Sequence, residues 1–509
     1  MQNFGLDNNW WSAVISMDKF ANDLGTYVDG STTKTLPSSW LSIASGTPIA
    51  GWVIGCLIAS EVTRRLGRRK TVVLLCIISM IGIIIQSAIQ NYWGIMAGRL
   101  VNAVAMGLEA NCIPMLMSEL APPAIRGAMV NFYQWWLMCG GMIAAGTVYG
   151  SSSLNNMWAY KTVMVLQIFV PVLLLCCIWM VPESPRWLLS KNRRNEAFDA
   201  LAYIRHGSAT LSEVRVELDL LEQANREQVE AHHATSWLDC FRGTNGRRTF
   251  IAVGVQCMQQ SQGAAFMNTY LVVFLKQIGI QNTLKINVVY MTCNLAGAGL
   301  AFYFTDKLGR RLMLMGASAC MCVLLWVVSG LATWYPGGVA GTVASGAVAA
   351  IMLHSVFSTG AWGSVNWTIT SEISTTQLRE RTISIATASS FLCNLLITYI
   401  NPFIQDSPGN LGSRVGMIYA SISILAIAFV YFCVPEMKGR SLEELDEIFQ
   451  KRVPAWRTKA FVATGIGAKL TEVQNLNSNA GHKVVVGVEE EGESYDEKVE
   501  EHVKGDVKG

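Results

Sequence analysis

The stretch VPESPRWLLSKNRRNEAFDALAYIRHGSATLSEVRVELDLLEQANREQVEAHHATSWLDCFRGTNGRRT, from Val181 to Thr249, is the only long charged segment before the C-terminal tail. It divides a very apolar chain into two parts, and the same signals recur on both sides in the same order. SELAPPAIRG at Ser118–Gly127 returns as SEISTTQLRE at Ser371–Glu380, and VPES at Val181 returns as VPEM at Val434. An offset of 253 residues separates Glu119 from Glu372, Arg126 from Arg379 and Glu183 from Glu436. Equal offsets of this kind predict a duplicated domain.

The composition places the chain in a membrane. Hydrophobic residues make up 51% of the 509 and charged residues only 15%, against roughly 25% charged residues in a soluble domain. Nine acidic and three basic residues fall in Glu489–Gly509, so the formal net charge of +3 leaves an excess of +9 on the rest of the chain. That excess of positive charge fits cytoplasmic membrane loops. The sequence shows no basic patch on a folded domain, so we expect no nucleic-acid partner.

No catalytic or metal-binding pattern stands out in this chain. The thirteen cysteines are scattered through apolar runs without a CxxC pair. They are typical of small buried hydrophobic residues and predict neither a disulfide framework nor a metal site. We therefore expect no enzyme, no cofactor and no metal.

Hydropathy predicts eleven spans and an incomplete one before them. Met1–Met17 is too short and too polar for a bilayer core that needs about 20 apolar residues, and a polar loop, Asp18–Trp40, follows it. The predicted spans are Thr47–Ser60, Thr71–Ala88, Trp93–Met117, Ala128–Gly150, Val163–Pro182, Phe250–Phe274, Val288–Thr305, Leu312–Trp334, Val339–Thr370, Thr382–Ile404 and Met417–Val434.

Basic residues at every second loop set the predicted orientation. Charged loops such as RRLGRRK at Arg64–Lys70 and QLRER at Gln377–Arg381 alternate with loops that carry almost no positive charge. Because Lys and Arg are enriched in cytoplasmic loops, we expect the charged loops and both termini in the cytoplasm, with the protein in the plasma membrane. TLSE at Thr210–Glu213 is a capping box that predicts a helix in the central segment.

Several motifs in a consistent order carry a resemblance to a known family. GRLVNAVAMGLEANCIPMLMSELAPPAIRG, PESPRWLL, QQSQGAAFMN, DKLGRR, WGSVNWTITSEI and VPEMKGRSLEELDEIF lie within Phe4–Phe449. Together they resemble the sugar porter family of the major facilitator superfamily, particularly its fungal members. The resemblance implies an all-α membrane protein with twelve transmembrane helices in two six-helix halves, and a solute site between the halves at mid-membrane.

We expect four domains: residues 1–182 as the N-terminal transmembrane half, 183–248 as a central cytoplasmic helical segment, 249–436 as the C-terminal transmembrane half and 437–509 as a cytoplasmic tail. The polar, Gly-rich end of that tail predicts partial disorder.

Charged residues in the repeated loops predict a cytoplasmic gate. An Arg-rich loop and a carboxylate can pair across the cytoplasmic face only when the two halves are closed there, so such pairs bias the direction in which the cavity opens. Solvated positive-inside charges are the alternative. The candidates are Glu119, Arg126, Glu183, Arg186, Asp306, Arg310, Glu372, Arg379, Glu436 and Arg440, with Arg68 from the first GRR loop. Arg64 stands where the family usually has an Asp, which predicts an asymmetric gate.

Polar residues within the predicted spans supply the substrate prediction. A buried amide that lacks a partner in hydrocarbon costs several kcal/mol, so these side chains face other helices or a wet cavity. By resemblance, the sugar contacts are Gln134, Gln259, Gln260, Asn294 and Trp362. Helix-to-helix hydrogen bonding is the alternative role. Gly141, Ala265 and Ser364 depart from the family pattern, which predicts a site with fewer polar contacts and more room.

Asp7 and Arg99 are the predicted proton-coupling pair. An acid within a span is costly unless it is paired or protonated, and by resemblance these residues match the Asp and Arg of proton-coupled members. FGLD at Phe4–Asp7 resembles a motif within the first family helix. We therefore expect that helix to lack its cytoplasmic half here, and an upstream in-frame apolar run of about 10 to 15 residues to complete it.

The favoured function is a transporter of sugar-like solutes, with protons, the solute and the lipid bilayer as partners. Symport by alternating access is favoured over uniport of a related polyol or cyclic hydroxy acid such as quinate. A non-transporting sugar sensor stays open as a second class, because fold alone does not fix function.

Overall fold

The computed structural model describes residues 2–14, 18–27, 34–35, 38–122, 126–152, 154, 156–206, 209–231, 236–267, 283–334, 341–375, 378–405, 411 and 414–461. Within these residues the chain is helical apart from two antiparallel strands of two residues each, Thr26–Tyr27 and Lys34–Thr35. The prediction of an all-α fold is confirmed. The predicted disordered end of the tail lies outside the described residues.

The described residues of the first part of the chain form eight helices. They are α1 (Gln2–Val14), α2 (Asp18–Leu24), α3 (Ser38–Leu66), α4 (Arg68–Ala88), α5 (Tyr92–Leu120), α6 (Arg126–Ser151), α7 (Trp158–Leu166) and α8 (Phe169–Cys177). The predicted loop Asp18–Trp40 is therefore wrong in part, because it contains α2, the strand pair and the first turn of α3. Phe20 on α2 is fully buried against Trp11 and Tyr160, so this segment packs into a core that it shares with α1 and α7.

Short helices follow, and then the second part of the chain. The central segment holds α9 (Pro185–Ser190), α10 (Arg194–Ile204) and α11 (Leu211–Ala231), and a 3-10 turn at Trp237–Phe241. The later helices are α12 (Gly243–Gln259), α13 (Thr283–Leu308), α14 (Arg310–Trp334), α15 (Gly341–Phe357), α16 (Ser364–Ile373), α17 (Arg379–Gln405), α18 (Val415–Cys433) and α19 (Leu442–Gln450). A π turn, Gln260–Ala264, extends α12, and a second, Ser358–Gly363, joins α15 to α16.

Nine stretches of the described chain are long and apolar enough to cross a membrane. The predicted spans at Ala128–Gly150 and Phe250–Phe274 are not among them. The first coincides with the helix α6, and the second begins on α12 and runs into residues 268–282, outside the described part. Both helices carry polar side chains along their length, which lowers their hydropathy.

The span predicted at Val163–Pro182 is broken in the middle. It consists of α7, α8 and a 3-10 turn, with the interruption at Gln167 and Ile168. Pro171 has no N–H to donate to the carbonyl of Gln167, four residues earlier. The Gln167 side chain is buried, and its Oε1 accepts a 2.7 Å hydrogen bond from Nε2 of Gln86 on α4. The break thus places a buried amide against a partner in a neighbouring helix.

Close helix crossings depend on glycines in α3 and α5. A Cβ on Gly55 would lie 2.2 Å from the carbonyl oxygen of Val104, and a Cβ on Gly107 would lie 2.3 Å from that of Trp52. Small residues let membrane helices approach this closely and gain van der Waals contact. Substitution at either glycine would push the two helices apart.

The predicted capping box is confirmed at the start of α11. The Glu213 carboxylate accepts a 2.7 Å hydrogen bond from the Thr210 backbone N–H, and Thr210 Oγ1 accepts one of 3.4 Å from the Glu213 N–H. Leu218 on α11 packs with Leu188 and Leu201 in a small separate core. The central segment therefore forms a folded helical unit.

Candidate functional site

One end of the helix bundle, which we call the charged end, joins the two parts of the chain through buried ion pairs. Arg68, the first residue of α4, donates to both oxygens of Glu119 at 3.0 Å each. The same guanidinium donates to Glu380 at 2.9 Å, and Arg379 donates to Glu119 at 3.4 Å. Arg68 and Glu119 lie before the central segment, and Arg379 and Glu380 lie after it. The bundle is therefore closed at the charged end.

The equivalent pair in the second part is Arg310 and Glu372, 3.1 Å apart. Both side chains are at most 2% exposed and both belong to the second part. Arg64, which departs from the family pattern, pairs locally with Glu61 at 2.7 Å on the exposed surface of α3. Glu119 thus pairs with an arginine of each part, whereas Glu372 pairs within the second part.

Glu183 and Glu436 bind helix ends within their own parts of the chain. Glu183 accepts backbone N–H groups of Arg68 at 2.9 Å and Arg69 at 3.1 Å, and Glu436 accepts those of Arg310 at 3.0 Å and Arg311 at 3.3 Å. A carboxylate at a helix N-terminus satisfies orphan donors and complements the helix dipole. Glu183 and Glu436 were predicted to pair with arginines across the gate. Each carboxylate instead accepts two backbone N–H groups of its own part of the chain.

Glycine is required beside each of these carboxylates. Gly67 has φ +86° and Gly309 has φ +88°, a region that residues with a Cβ rarely adopt. A Cβ on either glycine would lie 2.6 Å from an oxygen of Glu183 or Glu436. The LGRR pattern therefore encodes a tight turn that presents a helix end to a carboxylate.

The helix α19 ties the tail to both parts at the charged end. Arg186 on α9 forms an ion pair with Glu443, and Arg248 on α12 forms one with Asp446. Burial lowers the pKa of Arg186, but the carboxylates of Glu443, Glu119 and Glu217 together outweigh it, and the pKa lies above its ordinary value. Burial raises the pKa of Asp446 despite the neighbouring Arg248 guanidinium. Docking of α19 thus depends on charges that are removed from water.

The remaining predicted gate residues are Arg440, Arg126 and Asp306. Arg440 donates to the backbone carbonyls of Thr458 at 2.8 Å and Phe461 at 2.7 Å, so it anchors the tail. The side chains of Arg126 and Asp306 lie outside the described residues.

Gln259 and Gln260 belong to an amide cluster between α12, α16 and α17. Asn366 Nδ2 donates to Gln256 Oε1 at 2.9 Å and to Gln259 Oε1 at 2.5 Å. Gln260 Nε2 donates to Ser390 Oγ at 3.2 Å, and its Oε1 accepts from Asn394 Nδ2 at 3.3 Å. Gln256 is fully buried, whereas Gln259 and Gln260 are partly exposed. The two predicted glutamines therefore have both helix partners and accessible surface.

Asn294 and Trp362 are held inside the second part. Asn294 Oδ1 accepts a 2.7 Å hydrogen bond from Thr359, and Trp362 Nε1 donates to Ser318 Oγ at 2.8 Å. Trp362 has no exposed surface and packs in the core around α12 and α14. Ser318 in turn donates to Gln262 at 2.9 Å, in the π turn that follows α12. Trp362 thus supports the backbone that carries Gln259 and Gln260.

Gln134 on α6 faces the second part of the chain. A Cβ on Gly363, in the π turn between α15 and α16, would lie 3.0 Å from Gln134 Nε2. Close by, Asn131 on the same helix donates to Thr305 Oγ1 of α13 at 2.7 Å. The predicted residue therefore lies at the junction of the two parts.

The expected extra room at Gly141 is occupied. A Cβ on Gly141 would lie 2.7 Å from Nδ2 of Asn9 on α1, so the amide of Asn9 fills the space that the glycine leaves. Ser364 donates through Oγ to the Thr359 carbonyl at 3.2 Å, within the π turn. Ala265 is buried at 1% exposure. The prediction of a more open site is therefore wrong at Gly141, because an amide from another helix replaces the missing one.

Several polar residues of this region were not predicted as site residues. Asn366 and Asn394 bind the two glutamines, and Asn111 Oδ1 accepts a 3.2 Å hydrogen bond from Thr387 across the two parts. The sequence does show these asparagines within apolar spans. Because polar groups in hydrocarbon need partners, that position could have marked them as site residues.

Asp7 and Arg99 lie in one buried cluster of α1 and α5. Asp7 is 1% exposed and Arg99 4% exposed. Arg99 Nη1 donates to the Ala44 carbonyl at 3.0 Å, and Asp7 Oδ1 accepts from Trp10 Nε1 at 3.2 Å. No ion pair joins Asp7 to Arg99 in the described part of the chain. The predicted pair is therefore near enough to interact but is not in contact.

Comparison with known proteins identifies the family to which the chain belongs. The family model described as "Sugar (and other) transporter" matches residues 3–449. The chain is 28% identical to a protein named probable glucose transporter rco-3 of Neurospora crassa over 467 residues, covering 90% of this chain and 78% of that one. It is 27% identical to a galactose transporter of Saccharomyces cerevisiae, covering 93% and 83%.

A solved structure has the same fold. The major facilitator superfamily proton:xylose symporter XylE, bound to 6-bromo-6-deoxy-D-glucose, superposes with a TM-score of 0.77 at 21% sequence identity. The match covers 88% of this chain and 96% of that one. The fold predicted from the resemblance is confirmed.

Proposed function

Because the chain belongs to the sugar transporter family of the major facilitator superfamily, we propose that it carries a sugar or a related polyhydroxylated solute across the plasma membrane in symport with protons. The observation that carries the coupling is the burial of Asp7 and Arg99 in one cluster. A buried carboxylate without an ion-pair partner is costly when charged, so its protonation state changes the stability of its surroundings. Such a group can link proton entry to a conformational change.

The amide cluster around Gln259 and Gln260 is the proposed solute site, with Gln134 facing it from the first part and Asn294 and Trp362 supporting it. Sugar hydroxyls both donate and accept hydrogen bonds, and a side-chain amide offers both functions. The partly exposed amides of Gln259 and Gln260 have unused hydrogen-bonding capacity, since each makes fewer bonds than its donors and acceptors allow. A polyhydroxylated solute supplies the remaining partners.

Alternating access accounts for the ion pairs at the charged end. Arg68, Glu119, Arg379 and Glu380 connect the two parts when that end is closed. Opening requires these pairs to separate, and the energy comes from solute and proton binding. The excess of Lys and Arg in the loops favours a cytoplasmic location for this end and for both termini.

Uptake in a yeast that lacks hexose transport tests the proposal. Cells that express the chain should accumulate one of radiolabelled D-glucose, D-galactose or D-xylose, or else labelled quinate or a polyol. Accumulation should rise as external pH falls and collapse with a protonophore. A sensor would signal without accumulating any of these solutes. Uptake that is indifferent to pH and protonophore would identify a uniporter and contradict symport.

Gln259→Ala and Gln260→Ala should each raise the apparent KM for the transported solute and leave surface expression unchanged. Loss of a buried hydrogen bond costs on the order of 1 to 3 kcal/mol. Gln86→Ala is the matched control, since Gln86 is a buried amide that bonds Gln167 far from the cluster. It should lower thermal stability without changing KM. An unchanged KM with both glutamines replaced would contradict the assignment.

A further inference from the structure

Two adjacent tryptophans on α1 form the surroundings of Arg99. The rings of Trp10 and Trp11 meet edge to face, with centroids 5.5 Å apart and an interplanar angle of 88°. The Arg99 guanidinium carbon lies 4.2 Å from the Trp11 ring centroid and 5.2 Å from that of Trp10. Trp10 has no exposed surface and Trp11 is 5% exposed. The cation therefore rests on two aromatic faces in a site without bulk water.

Trp10 also contacts the acid. Its Nε1 donates to Asp7 Oδ1 at 3.2 Å, while its ring lies beside Arg99. The indole thus binds the carboxylate at its edge and the guanidinium at its face. Asp7 Oδ2 and Arg99 Nε are buried without a hydrogen-bond partner. Asp7 and Arg99 therefore each have an atom that could bind the other group.

Asn102 and Tyr92 also lie beside this pair. Asn102 of α5 faces Asp7, and its Oδ1 accepts a 2.7 Å hydrogen bond from Ser79 of α4. Tyr92 of α5 faces Arg99, and its hydroxyl donates to the Trp40 carbonyl at 2.8 Å. Within the described part of the chain, Arg99 is therefore the cation and Asp7 the acid of a cluster whose other named members, Asn102, Tyr92 and the two tryptophans, are neutral.

An arginine above an indole ring is attracted by the negative face of the ring, most strongly when water is excluded. That attraction is independent of protonation at Asp7, whereas the attraction between Arg99 and Asp7 exists only when Asp7 is ionised. The cation consequently has two alternative positions, and the proton on Asp7 decides between them.

We propose that Trp10 and Trp11 are positioning residues that hold Arg99 away from Asp7 while Asp7 is protonated. When the proton leaves, the carboxylate draws the guanidinium off the rings, and the movement of α5 relative to α1 follows. The aromatic pair thereby sets the pH at which the protein switches. The proposal rests on the proton symport proposed above.

Three variants distinguish the role of Trp11 from that of Trp10. Trp11→Leu removes the closer ring, so Arg99 shifts toward Asp7, and the pH of half-maximal uptake should move to lower values. Trp10→Phe keeps a ring but removes the N–H that stabilises the carboxylate, so that pH should move to higher values. Trp11→Phe retains an aromatic face and should restore most of the wild-type profile.

Each variant is measured in the transport-deficient yeast with the labelled sugar that wild type takes up best. Trp11→Leu should move the pH of half-maximal uptake down by about one unit, a tenfold change in the protonation equilibrium that matches a cation–π contact of ordinary strength. Counterflow exchange should stay within about twofold, because it needs no net proton movement. Trp136→Leu is the control, since Trp136 on α6 is 43% exposed.

Opposite pH shifts for Trp10→Phe and Trp11→Leu would support the proposal. A wild-type pH profile in both variants would overturn it. A failure of symport itself is distinguishable, because wild-type uptake would then be independent of pH. If Trp11→Leu does not reach the cell surface, Trp10→Phe decides the question alone: an unshifted profile overturns the proposal.

Discussion

Asp7→Asn should abolish accumulation of the solute above equilibrium and preserve its counterflow exchange. Asn keeps the size of the side chain and a carbonyl oxygen to accept from Trp10, but it neither gains nor loses a proton. Without the proton, the membrane potential no longer contributes its roughly 2.3 kcal/mol per charge per 100 mV to accumulation. We therefore expect an accumulation ratio of about one. The measurement is the steady-state internal to external ratio of labelled sugar in energised cells.

The matched control for this variant is Asp23→Asn. Asp23 lies on α2 in an exposed pair with Lys19 at 2.8 Å, where ion pairs contribute little. It should leave accumulation unchanged. Undiminished uphill transport in Asp7→Asn would mean that Asp7 is a structural group and that the proton, if it is carried, uses another residue.

Glu119→Gln should open the charged end of the bundle. Glu119 binds Arg68 and Arg379 from the two parts of the chain, with a side chain that is 2% exposed. Loss of one partner from a buried ion pair costs about 3 to 5 kcal/mol, because the remaining charge is left uncompensated. That cost falls on the closed arrangement and not on the open one, where water reaches the arginines. Hydrogen exchange should accelerate at the start of α4 and of α17, and net uptake should fall more than tenfold.

Glu217→Gln provides the control for Glu119→Gln. Glu217 pairs with Arg205 at 2.9 Å, is 1% exposed and belongs to the central segment. This variant should lose thermal stability, yet leave hydrogen exchange at α4 and α17 unchanged. Equal exchange rates in Glu119→Gln and wild type would show that the ion pairs do not hold that end closed.

Much of the charged end could be predicted from local repetition. The equal offset of 253 residues identified Glu183 and Glu436, and likewise Glu119 and Glu372, as related positions. Repetition did not reveal what each carboxylate binds. Glu183 and Glu436 face backbone donors of their own parts, whereas Glu119 faces arginines of both parts. That distinction arises from how the two parts meet, which no local pattern contains.

The solute site was less predictable for a similar reason. Gln259 and Gln260 followed from a motif and from the need of buried amides for partners. The filling of the space at Gly141 by Asn9 depends on the approach of α1 to α6, whose residues are distant in sequence. Likewise, the bond from Trp362 to Ser318 depends on the packing of the second π turn against α14. Side-chain contacts between helices are set by packing, and hydropathy reports only which residues are buried.

Solute and proton should cross the membrane together, and a pH-sensitive dye inside proteoliposomes reports whether they do. Purified protein is reconstituted without a pH gradient or a membrane potential, and the transported sugar is added outside. Symport predicts that the inward sugar gradient drives protons in, so the lumen acidifies, and that Asp7→Asn vesicles show sugar entry without acidification. Sugar entry into wild-type vesicles with an unchanged internal pH would contradict the account.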